Sequence, residues 1–347
     1  MERRVQRIAL IKPSALGDIV HALPVLSALR QQYPQSHITW VVNRGFEALL
    51  TGHPHLDATL AFERGLFRQG VGRALKYSIE FANRLRRNRF DLVVDLQGLL
   101  RTGLMCAATG APRKIGFANA REGAARFYTE RVEVPDAMSI HAVDRYWRIV
   151  EHLHAGGDKQ FIVSVSKFET DVVCTLFKDL PRPWVAVAVG AKWVTKRWPP
   201  TSFGVLLARM QRAFGGTVLF VGTGEDRADS LTAVQSLAGP WRDLTGTTTL
   251  PRLAAVLSLC DAMVANDTGP LHLAAALGVP CVAPYTCTKT ALHGPYHQNG
   301  GVETRVACGG SYLKHCPNTF ECFTELTPAR LWPTLEGVLQ SWARRCA

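Results

Sequence analysis

Residues 264–285, VANDTGPLHLAAALGVPCVAPY, constrain the fold of this chain more than any other stretch. Ala262–Ala265 read as a short buried strand, and Asn266, Asp267, Thr268, Gly269 and Pro270 as a turn. A helix over about Leu271–Leu277 follows, stopped by Gly278-Val279-Pro280, and Cys281–Ala283 begin another strand. A strand that crosses through a helix to a second strand pairs parallel with it, which points to an open α/β sheet. Such sheets bind ligands just beyond the carboxyl ends of their strands, where this polar turn falls. The backbone amides of Thr268 and Gly269 open the helix and offer a seat for phosphate. His272, on the first helical turn, faces the same ligand.

The same alternation recurs along the chain. Strands are expected at Arg7–Lys12, Ile38–Val42, Ala58–Phe62, Leu92–Leu96 and Lys114–Phe117, with helices near Ile19–Tyr33, Gly70–Arg89, Leu99–Ala108 and Ser139–His154, the last capped by Ser139. Residues 161–183 change character, and Pro181 and Pro183 punctuate the chain. A second series then opens with Trp184–Val189, a helix near Ser202–Phe214, strand Thr217–Val221, and helices from about Asp226 and over Leu250–Leu259. The 347 residues therefore divide into two doubly wound domains of similar size, over 1–175 and 176–347, facing a central cleft. The apolar face of a final helix, Pro328–Arg345, can pack on either domain.

Several turns carry chemistry. Ser14-Ala15-Leu16-Gly17-Asp18 joins the first strand to the first helix. Asp18 reads either as a helix N-cap or as a general base facing the cleft. A helix N-terminus lowers a carboxyl pKa, which weakens a base unless burial raises it again. Lys192, Lys196 and Arg197 follow the strand at 184–189, as a surface loop or as cations that hold a diphosphate leaving group. Gly222-Thr223-Gly224 lacks the third glycine of a dinucleotide fingerprint, since Arg227 stands there. Glu225 and Asp226 read as ribose acceptors or as first-turn helix carboxylates. Arg64, Arg68 and Arg73, with Arg101 and Arg121, are solvent-facing charges or an anionic acceptor site, since arginine grips carboxylate and phosphate bidentately.

The formal net charge of +12 favours an anionic partner such as a nucleotide or an anionic leaflet. No RNA motif or interleaved aromatic patch supports nucleic acid. No apolar run reaches the length of a membrane span, and Lys12 and Asp18 break up the first apolar run, so no signal peptide is read. A cytoplasmic protein is expected. The nine cysteines then read as thiols. Cys308, Cys316 and Cys322, with His315 or Cys287, are irregularly spaced for a zinc site, and free thiols are the default.

The stretches IKPSALGDIVHALPVLSALRQQYP, DLVVDLQGLLRTGL, IHAVDRYWRIV, GAKWVTKRWPPTSF and NDTGPLHLAAALGVPCVAPY occur in that order. Together they resemble the lipopolysaccharide heptosyltransferases of glycosyltransferase family 9, most of all their heptosyltransferase I branch, over roughly residues 7–330. AKWVTK lacks the paired threonines of that branch, and spaced cysteines stand where the family often has C-x-x-C. The resemblance implies a GT-B fold of two Rossmann-like domains, the acceptor on the first and the nucleotide-sugar on the second. It implies inverting transfer of heptose from ADP-heptose to an anionic, lipid-linked, Kdo-containing acceptor, with no catalytic metal and no cofactor. Such an enzyme works at the cytoplasmic face of the inner membrane, in peripheral contact with it. The family's base falls on Asp18. Its donor-binding residues fall on Lys196, Glu225, Asp267, Thr268, Gly269 and His272, and its acceptor arginines on Arg64, Arg68 and Arg121.

Overall fold

The computed structural model describes residues 5–68 and 70–346; the side chains of Phe67 and Arg68 lie outside the described residues. The chain forms two compact units that divide between Ser164 and Val165, ahead of the expected boundary at 175.

The first unit runs β1 (Arg7–Ile11), α1 (Leu16–Gln32), β2 (His37–Asn43), α2 (Glu47–Leu50), β3 (Ala58–Phe62), α3 (Val71–Arg87), β4 (Leu92–Asp95), α4 (Leu100–Thr109), β5 (Arg113–Phe117), β6 (Glu130–Val132) and α5 (Ala142–His152). Its six strands pair parallel in the order β3-β2-β1-β4-β5-β6. This is the doubly wound Rossmann order, with its switch point between β1 and β4. Both central strands are apolar throughout their middles, and Ile8–Ile11 and Leu92–Val94 are fully buried. Helices α3 and α4 cover one face through Phe81, Leu85, Met105 and Cys106. Helix α1 packs on α5 and is buried along nearly its whole length, as its continuous apolar sequence requires.

Helix α5 starts later than its sequence suggests. Its cap is His141, whose Nδ1 accepts the Val143 amide hydrogen at 3.1 Å. Ser139 instead donates its hydroxyl to the Asp136 carbonyl at 2.9 Å, within the preceding turn.

The second unit runs α6 (Lys167–Phe177), β7 (Trp184–Ala188), α7 (Pro200–Phe214), β8 (Thr217–Phe220), α8 (Arg227–Val234), β9 (Trp241–Asp243), α9 (Leu250–Ser258), β10 (Ala262–Ala265), α10 (Gly269–Ala276), β11 (Cys281–Tyr285), α11 (Thr290–His293), β12 (Gly301–Glu303), α12 (Glu321–Glu325) and α13 (Pro328–Cys346). The strand order β12-β11-β10-β7-β8-β9 repeats the winding of the first unit, again all parallel. Helix α6 belongs here because it packs on α9, where Glu169 meets Arg252 at 2.7 Å. The final helix is settled too: Leu331, Trp332, Leu335 and Leu339 of α13 join Phe203, Leu206 and Met210 of α7 in this unit's core.

Among the described residues, no helix is long and apolar enough to cross a membrane.

Candidate active site

The expected site residues fall into two groups, one in each unit. In the first unit, β1 ends at Ile11 and the chain turns into α1 at Leu16, so Asp18 is not the N-cap. Ala15 is the cap, and Asp18 Oδ2 reaches back to accept its amide hydrogen at 3.1 Å. This is the carboxylate half of a capping box, with the acid at the third helical position. The other oxygen is left for different partners. Tyr146, from α5, donates its hydroxyl to Oδ1 at 3.1 Å, and Lys12 Nζ lies 3.7 Å from the same atom. Lys12 is buried at the end of the first strand, where its ammonium also donates to the Leu96 carbonyl at 3.2 Å and lies 4.8 Å from the Tyr146 ring centroid.

Burial opposes ionisation of Asp18, but Lys12, the Ala15 amide and the Tyr146 hydroxyl outweigh it. The carboxyl is held below its ordinary value. Burial likewise opposes the Lys12 charge, and Asp18 and Tyr146 more than offset it. Asp18 is therefore a carboxylate at neutral pH, with 40% of its side chain open to solvent. It is ready to accept a proton, as a weak base. Lys12 and Tyr146 were missed as site residues from sequence; a lysine closing the otherwise apolar RIALI strand was the available signal.

Arg64 and Arg121, named from the family pattern, are both exposed. Arg64 lies on the 3-10 turn Arg64–Arg68, which packs on α3, while the Arg68 side chain lies outside the described residues. Arg121 is moored by its amide to the Gly98 carbonyl at 2.9 Å, next to the start of α4. Arg101 stands on the first turn of α4. Burial first, and repulsion from Arg64 second, lower its pKa, while the Glu122 carboxylate opposes them. The Arg101 Cζ lies 5.6 Å from the Phe62 ring centroid. Like charges held together suit an anionic ligand.

In the second unit the turn after β10 is tied down by Asn266, which is fully buried. Its side chain donates to the Val189 carbonyl at 2.6 Å and accepts from the Trp198 amide at 3.1 Å. This brings the loop after β7 against the loop after β10. Lys196 then meets Asp267 Oδ2 at 2.6 Å across 71 residues of sequence. Thr288 donates to the same oxygen at 2.8 Å, and His272 Nε2 lies 3.2 Å from Oδ1. Burial would raise the Asp267 pKa, but the His272 hydrogen bond and the Lys196 charge drive it far below the usual range. An ionised carboxylate only accepts, so the hydrogen between these two side chains sits on His272 Nε2. Thr288 was not singled out from sequence; buried Thr286 and Thr288 alternate just past β11.

Thr268 is the cap residue of α10 but makes no side-chain cap bond, and Gly269 opens the helix. The first-turn amides of a helix have no partner within the helix, so an anion can take them. The cations of the preceding loop are not all gathered here: Lys192 is exposed, and Arg197 Nε donates to the Ala191 carbonyl at 2.6 Å, closing the loop. Asp226 caps the turn after β8, accepting the Thr223 amide and hydroxyl at 2.8 Å each. The neighbouring loop has to be glycine there, since a Cβ on Gly190 would lie 1.8 Å from Asp226 Oδ1. Glu225 is exposed and makes no side-chain bond among the described residues. It is not drawn into the Lys196–Asp267–His272 cluster.

Cys308, Cys316 and Cys322 are free thiols. Burial and the neighbouring Cys308 and Cys316 raise the Cys322 thiol to about 11. No group of metal-ligating side chains forms among the described residues.

Known proteins resemble this chain over most of its length. The model of glycosyltransferase family 9 (heptosyltransferase) matches residues 78–316. Lipopolysaccharide heptosyltransferase 1 of Pseudomonas aeruginosa is 30% identical, over 96% of this chain and 98% of that protein. A glycosyl transferase family 9 structure from Veillonella parvula superposes with a TM-score of 0.86 at 22% identity, covering 98% of this chain and 99% of that one. The Escherichia coli heptosyltransferase WaaC with ADP-2-deoxy-2-fluoro heptose gives 0.73 at 20% identity, covering 96% and 99%.

Proposed function

The chain belongs to glycosyltransferase family 9, and on that premise we propose that it moves heptose from ADP-heptose to a Kdo-containing lipopolysaccharide core acceptor, with inversion. The observation that carries this reading is the near full-length match to a lipopolysaccharide heptosyltransferase. Each unit carries groups of the kind such a transfer needs.

In this reading the bond from the anomeric carbon to the diphosphate oxygen breaks and a bond from the acceptor oxygen forms, with the acceptor proton passing to Asp18. Lys196 and the first-turn amides of α10 receive the charge that builds on the departing diphosphate. Thr268 and Gly269 lie at that helix start, His272 fixes Asp267, and exposed Glu225 is free to meet the donor ribose. Arg64, Arg68 and Arg121, joined by Arg101, hold the anionic acceptor. A weak base suffices because glycosyl transfer passes through an oxocarbenium-like state. The acceptor hydroxyl becomes strongly acidic only as its new bond forms, so the proton moves late.

A panel of ADP-, UDP- and GDP-sugars, read by nucleotide release, tests the donor. ADP-heptose is expected to dominate; preference for a UDP- or GDP-sugar overturns this assignment.

The role of Tyr146 has its own signature. Asp18 must be ionised to act, so activity is present above its folded pKa and lost as pH falls through it. The acid limb of kcat/KM is therefore expected below the ordinary carboxylate range of about 4. Tyr146→Phe removes one of the contacts that lower the pKa, so the limb moves to higher pH. At pH 8 turnover is expected to stay within about fivefold of wild type, the scale of one hydrogen bond. An unmoved acid limb would show that Tyr146 does not tune Asp18.

A further inference from the structure

Helix α3 carries an apolar row that nothing in its own unit covers. Val71, Leu75 and Ile79 follow one another at four-residue spacing, so they share a face, and they are 86%, 60% and 54% exposed. Single exposed apolar residues are ordinary, but a row of three large ones is not. The neighbouring helix α4 shows a second such pair, Leu100 and Leu104. The buried side of α3 is already occupied, by Phe81 and Leu85 against the sheet. The remaining surface is strongly basic: Arg73, Lys76, Arg84, Arg86 and Arg87 stand against Glu80 alone.

Apolar side chains beside a cationic face are the composition of a helix that lies in a lipid headgroup layer. The same charge opposes a second copy of this face, since both surfaces would be positive. The turn carrying Arg64 packs on α3, and Arg101 follows Leu100 at the start of α4. A surface seated on a leaflet through these helices would hold the acceptor arginines at headgroup level.

We propose that the exposed face of α3, with the start of α4, docks on an anionic lipid leaflet and so presents the arginine cluster to a lipid-anchored substrate. The proposal rests on the lipid-linked acceptor assigned above, but its test separates the two.

The full chain is mixed with vesicles of phosphatidylcholine plus phosphatidylglycerol, or of phosphatidylcholine alone, and sedimented. Binding is expected only to the anionic vesicles, and added salt weakens it. Leu75→Glu with Ile79→Glu, and separately Lys76→Glu with Arg87→Glu, should each lower vesicle affinity by about tenfold or more. All four positions are exposed, so the variants fold. With a delipidated Kdo oligosaccharide as acceptor, ADP release by both variants is expected to equal wild type, while turnover of the vesicle-embedded acceptor falls. Vesicle binding without ADP release upholds the docking surface and sinks the transfer reading. Wild type that ignores anionic vesicles, or variants that bind them undiminished, overturns the docking surface alone. Self-association abolished by the Leu75 and Ile79 changes, without vesicle binding, assigns the face to a second copy and also overturns it.

Discussion

Asp18→Asn is expected to lower kcat/KM by roughly a thousandfold, within the range that loss of a general base produces. Asparagine keeps the shape of the side chain, and its carbonyl can still accept the Ala15 amide that Oδ2 accepts at 3.1 Å. What it loses is the capacity to take a proton. It also strips buried Lys12 of the carboxylate 3.7 Å away, so some stability is lost with the charge pair. Thermal unfolding therefore has to accompany the kinetics, to show that the variant is folded at the assay temperature. Titration calorimetry with ADP supplies the second control. The donor residues all lie in the other unit, so ADP affinity is expected to be unchanged. A folded variant that retains a tenth or more of wild-type turnover removes Asp18 as the base.

Lys196→Ala is expected to be costly in two separable ways. Lys196 Nζ sits 2.6 Å from an Asp267 carboxylate that is only 5% exposed. Removing one partner of a buried pair leaves the other charge uncompensated, a loss of about 3–5 kcal/mol in comparable sites. Thr288 and His272 still bind the carboxylate, which places the expected value at the low end. The low Asp267 pKa adds stability at neutral pH that is lost as pH falls below the ordinary carboxylate value toward the folded one. The alanine variant should therefore show a weaker dependence of stability on acid. The second loss is in binding: with the ammonium gone, ADP affinity is expected to fall by about tenfold or more, the scale of a charge-assisted hydrogen bond. A variant that unfolds like wild type would refute the structural role, and unchanged ADP affinity the binding role.

The parts of the fold legible in sequence were the ones in which local chemistry and global burial agree. Ile8–Ile11, Leu92–Val94, Trp184–Ala188 and Val218–Phe220 lie in interior strands, are buried, and read as unbroken apolar runs. The three-residue strands β6, β9 and β12 escaped notice, being short and polar in part: ERV, WRD and GVE have no alternation long enough to register. Helix α6 hid in the same way in the stretch 161–183 that read as a break in the sequence, and its exposed Phe168 and Leu176 blur its apolar face.

The site divides along similar lines. Asp18, Lys196, Asp267 and His272 stand in, or on the first helical turn beyond, the connections that follow apolar strands, where a charged residue is conspicuous. Their partners are set by tertiary structure. Tyr146 reaches Asp18 across 128 residues, and nothing in either local sequence announces the pair. Asp18 itself was misplaced by one feature of helix geometry. With the helix beginning at Leu16 rather than Ile19, the aspartate moves from the cap to the third helical position. There one oxygen serves the backbone and the other stays available for chemistry.

Acceptor-dependent ADP release is the decisive measurement for heptose transfer. The protein is incubated with ADP-heptose in the presence and absence of a Kdo-containing lipid A core acceptor, and the acceptor is then weighed by mass spectrometry. ADP release is expected only with acceptor, matched by an acceptor mass increased by one heptose. ADP-heptose left intact in the presence of the acceptor, or an acceptor of unchanged mass, would contradict heptose transfer.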